Sequence, residues 1–270
     1  MAVLELTYRS HVLDFDQNLL VMFPDPSGLK LSESDKGTDF EFPVLYLLHG
    51  YSDDHTSWLR HSSVERYLTE DLKKPLVIVC PSVQNSFYSD MVYGWKYFKY
   101  LTEEVPELLK RWVKISTKRE DTFVAGLSMG GYGAYKLAFT YPERFSVAAS
   151  FSGALDLAES GRGNPEKDVK CSDVFGMKRS ETDGSEFDLK VMLQKAVDSG
   201  KELPKFYLSC GTKDPLYRID LGFKDLMEKK GIKVNYSETE GLAHEWKFWD
   251  QEIEKFLKVL PLRTLEEIRR

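Results

Sequence analysis

Short apolar runs recur along the chain: Val44–Leu48, Leu76–Cys80, Thr122–Ala125, Val147–Phe151, Phe206–Ser209 and Val234–Ser237. Runs of this length without polar alternation are what strands buried on both faces look like, the state of central strands in a parallel sheet. Ahead of them Val3–Thr7, His11–Asp16 and Gln17–Phe23 read as three further strands, the last turned by Pro24-Asp25-Pro26. Ser27–Thr38 is polar, holds two glycines and reads as a surface loop. Between the strands lie segments with apolar residues at helical spacing: Ser63–Thr69, Phe98–Val113, Tyr132–Tyr141, Leu189–Ser199, Ile219–Lys230 and Trp246–Leu260. Strands alternating with helices predict right-handed crossovers and an α/β fold, a mostly parallel doubly wound sheet with helices on both faces.

One stretch breaks the alternation. Residues 156–203 are long and polar, with Gly161, Gly163, Pro165 and Gly184, and lie between the Val147–Phe151 and Phe206–Ser209 strands. An insertion there sits over the carboxyl ends of the strands, where open α/β sheets bind ligands. It reads as a small cap or lid, or equally as a mobile surface excursion. A length of 270 residues fits one domain spanning the whole chain.

Charge narrows the partners. The formal net charge is −6 and the pI about 5.5, with no basic run to neutralise phosphates. That argues against nucleic acid and against a polybasic membrane contact. No run approaches the length of a membrane span. The N-terminal residues alternate like a strand and lack the basic and apolar regions of a signal peptide. Cys80, Cys171 and Cys210 are odd in number and widely spaced, which fits a reducing cytoplasm. Cys80 and Cys210 end apolar runs and read as small buried packers.

The chemistry is concentrated in Thr122-Phe-Val-Ala-Gly-Leu-Ser-Met-Gly-Gly-Tyr-Gly-Ala134. A strand, then Gly126-Leu-Ser-Met-Gly130, then a helix is the setting of a nucleophile elbow, where the serine sits on a sharp strained turn with its hydroxyl clear of the backbone. The five-residue pattern alone arises by chance in roughly one chain of this length in ten; the strand before it and the helix after it carry the weight. A serine needs a base, and the base an orienting acid, in the chain order Ser, acid, His. Of the five histidines, His11, His49, His55 and His61 precede Ser128, and only His244 follows it, between the last strand and the last helix. Asp214, after the Phe206–Ser209 strand, is the candidate acid. An Asp before Pro215 also fits a helix N-cap, and Asp220 is the alternative acid. The candidate oxyanion donors are the backbone N–H groups of Met129, after the serine, and Tyr51, after Gly50. Asp53, Asp54 and His55 are adjacent and do not form a metal site; they read as a polar loop lining the pocket. Trp58 on that loop, and Tyr88, Tyr93 and Trp95 after the Leu76–Cys80 strand, are candidate substrate-binding residues, although the last three could equally pack their own loop.

The chain resembles the esterase D-type branch of the α/β hydrolases over almost its whole length. The matching stretches are Pro43–Gly50 with Ser57-Trp58, Thr117–Glu120, Phe123–Ala134, Ser150–Leu155 and His244-Glu-Trp-Lys-Phe-Trp249. The branch includes S-formylglutathione hydrolases, feruloyl esterases and bacterial tributyrin or cinnamoyl esterases, and the likeness is greatest to the last group. The resemblance implies an α/β-hydrolase fold, a serine esterase with Ser128, Asp214 and His244 as catalytic residues, and no metal or organic cofactor. It implies a small ester as substrate; self-association stays open. S-formylglutathione hydrolases usually carry a cysteine in the loop corresponding to Tyr51–Trp58, which has none here. Feruloyl esterases tend to use cap aromatics, whereas 156–203 offers only Phe175 and Phe187. Acyl transfer to an alcohol or sugar, peptide hydrolysis and a catalytically silent hydrolase fold are the competing functions.

Overall fold

The computed structural model describes residues 2–24, 41–72, 74–162, 165–264 and 267. Its centre is an eight-stranded sheet: β1 (Ala2–Arg9), β2 (Asp16–Phe23), β3 (Val44–Leu48), β4 (Val77–Pro81), β5 (Thr122–Leu127), β6 (Val147–Phe151), β7 (Lys205–Gly211) and β8 (Val234–Thr239). The order across the sheet is β1-β2-β4-β3-β5-β6-β7-β8. β1 pairs antiparallel with β2, and β2 with β4; every other pairing is parallel.

The central strands alternate between two cores. In β3, Val44, Tyr46 and Leu48 point to one face, while Leu45 and Leu47 point to the other. The first face is covered by the helices Val105–Trp112, Met129–Thr140, Leu189–Asp198 and Tyr217–Lys229, the second by Ser57–His61 and Trp246–Val259. Burial on both faces is why these strands read as unbroken apolar runs.

Several elements differ from the sequence pattern. The segment His11–Asp16 is not a strand. Asp14 has φ 59°, the Ser10 and Asp14 N–H groups close a turn onto Phe15 and Ser10 carbonyls, and Glu104 accepts from the Ser10 hydroxyl and the His11 and Val12 N–H groups. A carboxylate that collects three local donors holds a turn against the strand alternative. The predicted Ser27–Thr38 loop lies outside the described residues. The predicted Ser63–Thr69 helix is a short turn Val64–Arg66 running into a π-helical turn Tyr67–Leu72, and the Phe98–Val113 pattern is likewise interrupted by a π-helical turn at Tyr100–Glu104. The helix after Ser128 starts at Met129, three residues ahead of the pattern, because its first turn is glycine-rich.

Residues 156–203 are built of short helices: Leu157–Gly161, Pro165–Val169, Ser172–Phe175 and the longer Leu189–Asp198, with a 3-10 turn Arg179–Glu181. Phe175 and Phe187 hold them together, their ring centres 5.1 Å apart, and Phe175 sits 5.4 Å from Phe87 of the sheet domain. Among the described residues no helix is long and apolar enough to cross a membrane.

Candidate active site

β5 ends at Leu127 and the next helix begins at Met129, so Ser128 makes the whole turn. Its φ of 53° and ψ of −115° lie in a region that L-residues rarely occupy and that costs about 1–3 kcal/mol. The turn is held from both sides. The Ser128 N–H donates to the Phe151 carbonyl of β6 at 2.9 Å, and its carbonyl accepts from Gly131 at 3.0 Å and Ala154 at 3.1 Å. A side chain at Gly130 would meet the Leu48 and His49 carbonyls at 2.5 and 2.7 Å, and one at Gly126 would meet the Gly130 backbone. The helix N-terminus is thus pressed against the end of β3, which only glycine permits.

His244 reaches this serine from the loop between β8 and the last helix. Its Nε2 lies 2.9 Å from Ser128 Oγ, and its Nδ1 lies 2.8 Å from Asp214 Oδ2. The Asp214 side chain is fully buried, whereas the His244 ring is 30% exposed. Asp214 also accepts the Leu216 N–H through Oδ1 at 2.8 Å. It therefore orders the start of the Tyr217–Lys229 helix as well as holding the imidazole, although the cap position itself is Leu216. Asp220 does not reach His244. It lies inside that helix, fully buried, and accepts the Gly153 N–H at 3.1 Å; burial raises its carboxyl well above the ordinary range.

Trp249 stands edge-on to the His244 ring at 4.9 Å, and Trp246 packs on Trp249 at 5.3 Å. These two tryptophans, two and five residues after the histidine in the first turn of the last helix, wall one side of a cavity of about 990 Å³ that opens onto Ser128. The same cavity is lined by Tyr51 and Phe87, by Leu216, Ile219 and Phe223, and by residues of the 156–203 segment.

The loop after β3 brings Tyr51 to this cavity, and the elbow brings Met129. Gly50 lies so close to the elbow that a side chain there would strike Leu127 Cδ1 at 2.5 Å and approach Ser128 Cβ at 3.7 Å. His49 fixes that loop. Its Nδ1 donates to the Gly50 carbonyl at 2.8 Å and its Nε2 accepts the Val83 N–H at 3.1 Å, which defines a neutral ring. Burial lowers its pKa in the same sense. Asp53, Asp54 and His55 do not converge: Asp53 and Asp54 share Arg60, Asp54 also accepts from Thr56, and His55 turns to Glu5. Only Asp53 of the three lines the cavity.

The four candidate substrate-binding aromatics are corrected by their positions. Trp58 has 0% exposure and packs in the core of the opposite sheet face, its Nε1 donating to the Leu48 carbonyl at 3.0 Å. It meets Trp246 of the cavity wall at 5.2 Å. Tyr88 is also fully buried; it lies against Gly133 and donates its hydroxyl to the His49 carbonyl at 2.9 Å, so it braces the loop from behind. Tyr93 is 72% exposed, and Trp95, at 47%, packs on Phe15. None of the four lines the Ser128 cavity. The loop winds this way because Phe87 and Tyr88 both have φ 51°, which turns Phe87, not Tyr88, toward the cavity. Phe87, Trp246, Trp249 and the charged residues of the insertion were missed as lining residues. The one available signal was the Trp-x-x-Trp spacing that follows His244.

The fold and this constellation define a serine hydrolase of the α/β-hydrolase class. The family model described as "Putative esterase" matches residues 10–258. An acetyl esterase of Caldicellulosiruptor saccharolyticus is 30% identical over 260 residues, covering 94% of this chain and 96% of that protein. Among solved structures, the fluorophosphonate-binding serine hydrolase FphF of Staphylococcus aureus superposes with a TM-score of 0.86 at 31% identity, covering 96% of this chain and 98% of its own. The S-formylglutathione hydrolase FrmB of Staphylococcus aureus gives 0.83 at 32% identity over the same shares. The chain belongs to this esterase family and is a carboxylester hydrolase.

Proposed function

We propose that the protein is a carboxylesterase for short-chain acyl esters, working through an acyl-enzyme on Ser128 with His244 as base and Asp214 as orienting acid. The observation that carries this reading is the unbroken hydrogen-bonded line from Asp214 Oδ2 through both nitrogens of His244 to Ser128 Oγ, at 2.8 and 2.9 Å, on a strained elbow. A buried carboxylate at Nδ1 keeps the proton there, so Nε2 is free to accept from the serine.

Attack of Oγ on the ester carbonyl sends the serine proton to Nε2, and Asp214 stabilises the imidazolium. The negative oxygen of the tetrahedral intermediate falls to the backbone N–H groups of Met129 and Tyr51, each worth about 3 kcal/mol in sites of this kind. The imidazolium then gives its proton to the departing alcohol. Water, activated by the same ring, repeats the sequence and releases the acid. The 156–203 segment serves as the cap of this site. Three free, buried cysteines favour a reducing cytoplasm.

The acetyl esterase likeness favours small acyl groups. A second reading, hydrolysis of a glutathione thioester, is favoured by the 32% identity to FrmB. A panel of p-nitrophenyl acetate, butyrate and octanoate, ethyl ferulate and S-formylglutathione separates them. The highest kcat/KM is expected on acetate or butyrate. A peak on S-formylglutathione would replace the first reading by the second, and a peak on ethyl ferulate would refute both.

A further inference from the structure

The charges around the Ser128 cavity fall into two sets. The acidic side chains of its wall are engaged: Asp53 with Arg60 at 3.1 Å, Asp156 with Lys190 at 3.1 Å and Glu159 with Arg162 at 2.7 Å. Three of the lining cations, Lys170, Arg179 and Arg218, have no ion-pair partner among the described residues.

Arg179 is the telling one. It is half-buried, its guanidinium carbon stands 4.9 Å from the centre of the Phe87 ring, and its Nε is buried with no acceptor. The nearby carboxylate that could have paired with it is Asp168. Both of that residue's oxygens are committed to Ser180, one to the N–H at 2.7 Å and one to the hydroxyl at 2.9 Å. The other polar neighbours give no negative charge: burial pushes the Cys171 thiol up, the Tyr51 phenol up to about 12 and the Tyr132 phenol higher still. Lys170 lies on the same wall, its ammonium 5.2 Å from the centre of Tyr51, which packs on Phe87 at 5.9 Å. Two cations thus stand over two adjacent aromatic faces, beside the loop that carries the Tyr51 N–H.

Asp168 acts on Arg179 only through its field, and a guanidinium withdrawn from water with no direct ion-pair contact burdens the fold. Its fork of donors matches a carboxylate in a way that an ammonium does not. Facing an open cavity, such a group is free to pair with an anion that enters it. We propose that the Lys170–Arg179 wall binds an anionic group of the substrate, so that the preferred esters carry a carboxylate beyond the reacting carbonyl. This rests on the ester-hydrolase reading of the same cavity and adds to it the class of ester taken.

The test compares matched pairs on one preparation. The acyl-side pair is p-nitrophenyl hydrogen adipate and p-nitrophenyl methyl adipate; the alcohol-side pair is 4-acetoxybenzoate and methyl 4-acetoxybenzoate. In the wild type the anionic member of one pair is expected to have the higher kcat/KM by about tenfold or more, and which pair responds tells whether the anion belongs to the acid or to the alcohol. Arg179→Gln should cut that ratio by about tenfold, and Arg179→Lys by less, since it keeps the charge and loses the fork. The ratio is unaffected by the fraction of each variant that folds. No anionic preference in either pair, or an unchanged ratio in Arg179→Gln, would overturn the proposal while leaving the esterase intact. No turnover of any of the four esters would overturn the esterase reading and this proposal with it.

Discussion

Around Ser128 the backbone is fixed by contacts that leave no room for a side chain: Gly126 lies on the Gly130 backbone, and Gly130 on the end of β3. Across the same cavity the 156–203 segment starts with three helices of four and five residues, joined by charged turns, before the ten-residue helix Leu189–Asp198, with Phe175 packed on Phe187 between them. The first region is over-determined and tolerates strain at its reacting residue. The second presents exchangeable charges on a thin apolar footing. On the function proposed above, chemistry and selectivity would be separable: the elbow would set the reaction, and the insertion and the β4 loop would set what fits.

The strongest challenge to that division is Ser128→Ala, which should lower kcat on a short p-nitrophenyl ester by about 10⁴-fold or more while leaving the thermal midpoint near that of the wild type. Retained turnover would place the nucleophile outside the elbow. Gly130→Ala should be strongly destabilising, by about 3 kcal/mol or more, because the added carbon meets two carbonyl oxygens that cannot withdraw. Urea titration measures it, and a loss below about 1 kcal/mol would show that the turn is looser than described.

The far end of the elbow helix sharpens the comparison, since its strain has nothing to do with the reaction. Lys136 is 7% exposed, donates to Ser89 Oγ at 2.6 Å and lies over Phe98. Burial pushes its pKa down to about 7, against the opposing pull of Asp90 and Glu186. The folded-state value is depressed below the unfolded one, so above pH 7 the unfolded chain holds a proton that the native state has lost. Stability should then rise with pH from about 7 to 10 with a slope approaching about 1.4 kcal/mol per unit, and below pH 7 the penalty is constant. Lys136→Met should be more stable at pH 7, with an advantage that shrinks as pH rises; a pH-independent difference would contradict this. The smallest effect expected is at Ser128 itself. Ser128→Gly should be more stable than Ser128→Ala by about 1 kcal/mol, the reverse of the usual order inside or beside a helix, because only glycine is at ease at φ 53°.

The sheet was legible because its strands are buried on both faces and so carry continuous apolar runs; the turn at His11–Asp16 was not, because the carboxylate that forms it comes from Glu104. Chain order singled out Ser128, Asp214 and His244, and the fold brings these three within hydrogen-bond distance. The aromatics were misread for a definite reason. Trp58 and Tyr88 are placed by sequence beside the site, but which way each turns depends on backbone angles, and the positive φ at Phe87 and Tyr88 has no mark in the sequence. Arg179 was invisible because its meaning lies in what Asp168 does with Ser180, a contact that composition does not encode.

The central claim is that Ser128 is the activated nucleophile of the hydrolase. Labelling with a fluorophosphonate probe, followed by intact mass and peptide mapping, tests it most directly. One equivalent should attach to the peptide carrying Ser128 in the wild type, and none in Ser128→Ala. Labelling that persists in Ser128→Ala, or an unlabelled wild type that still turns over ester, would contradict it.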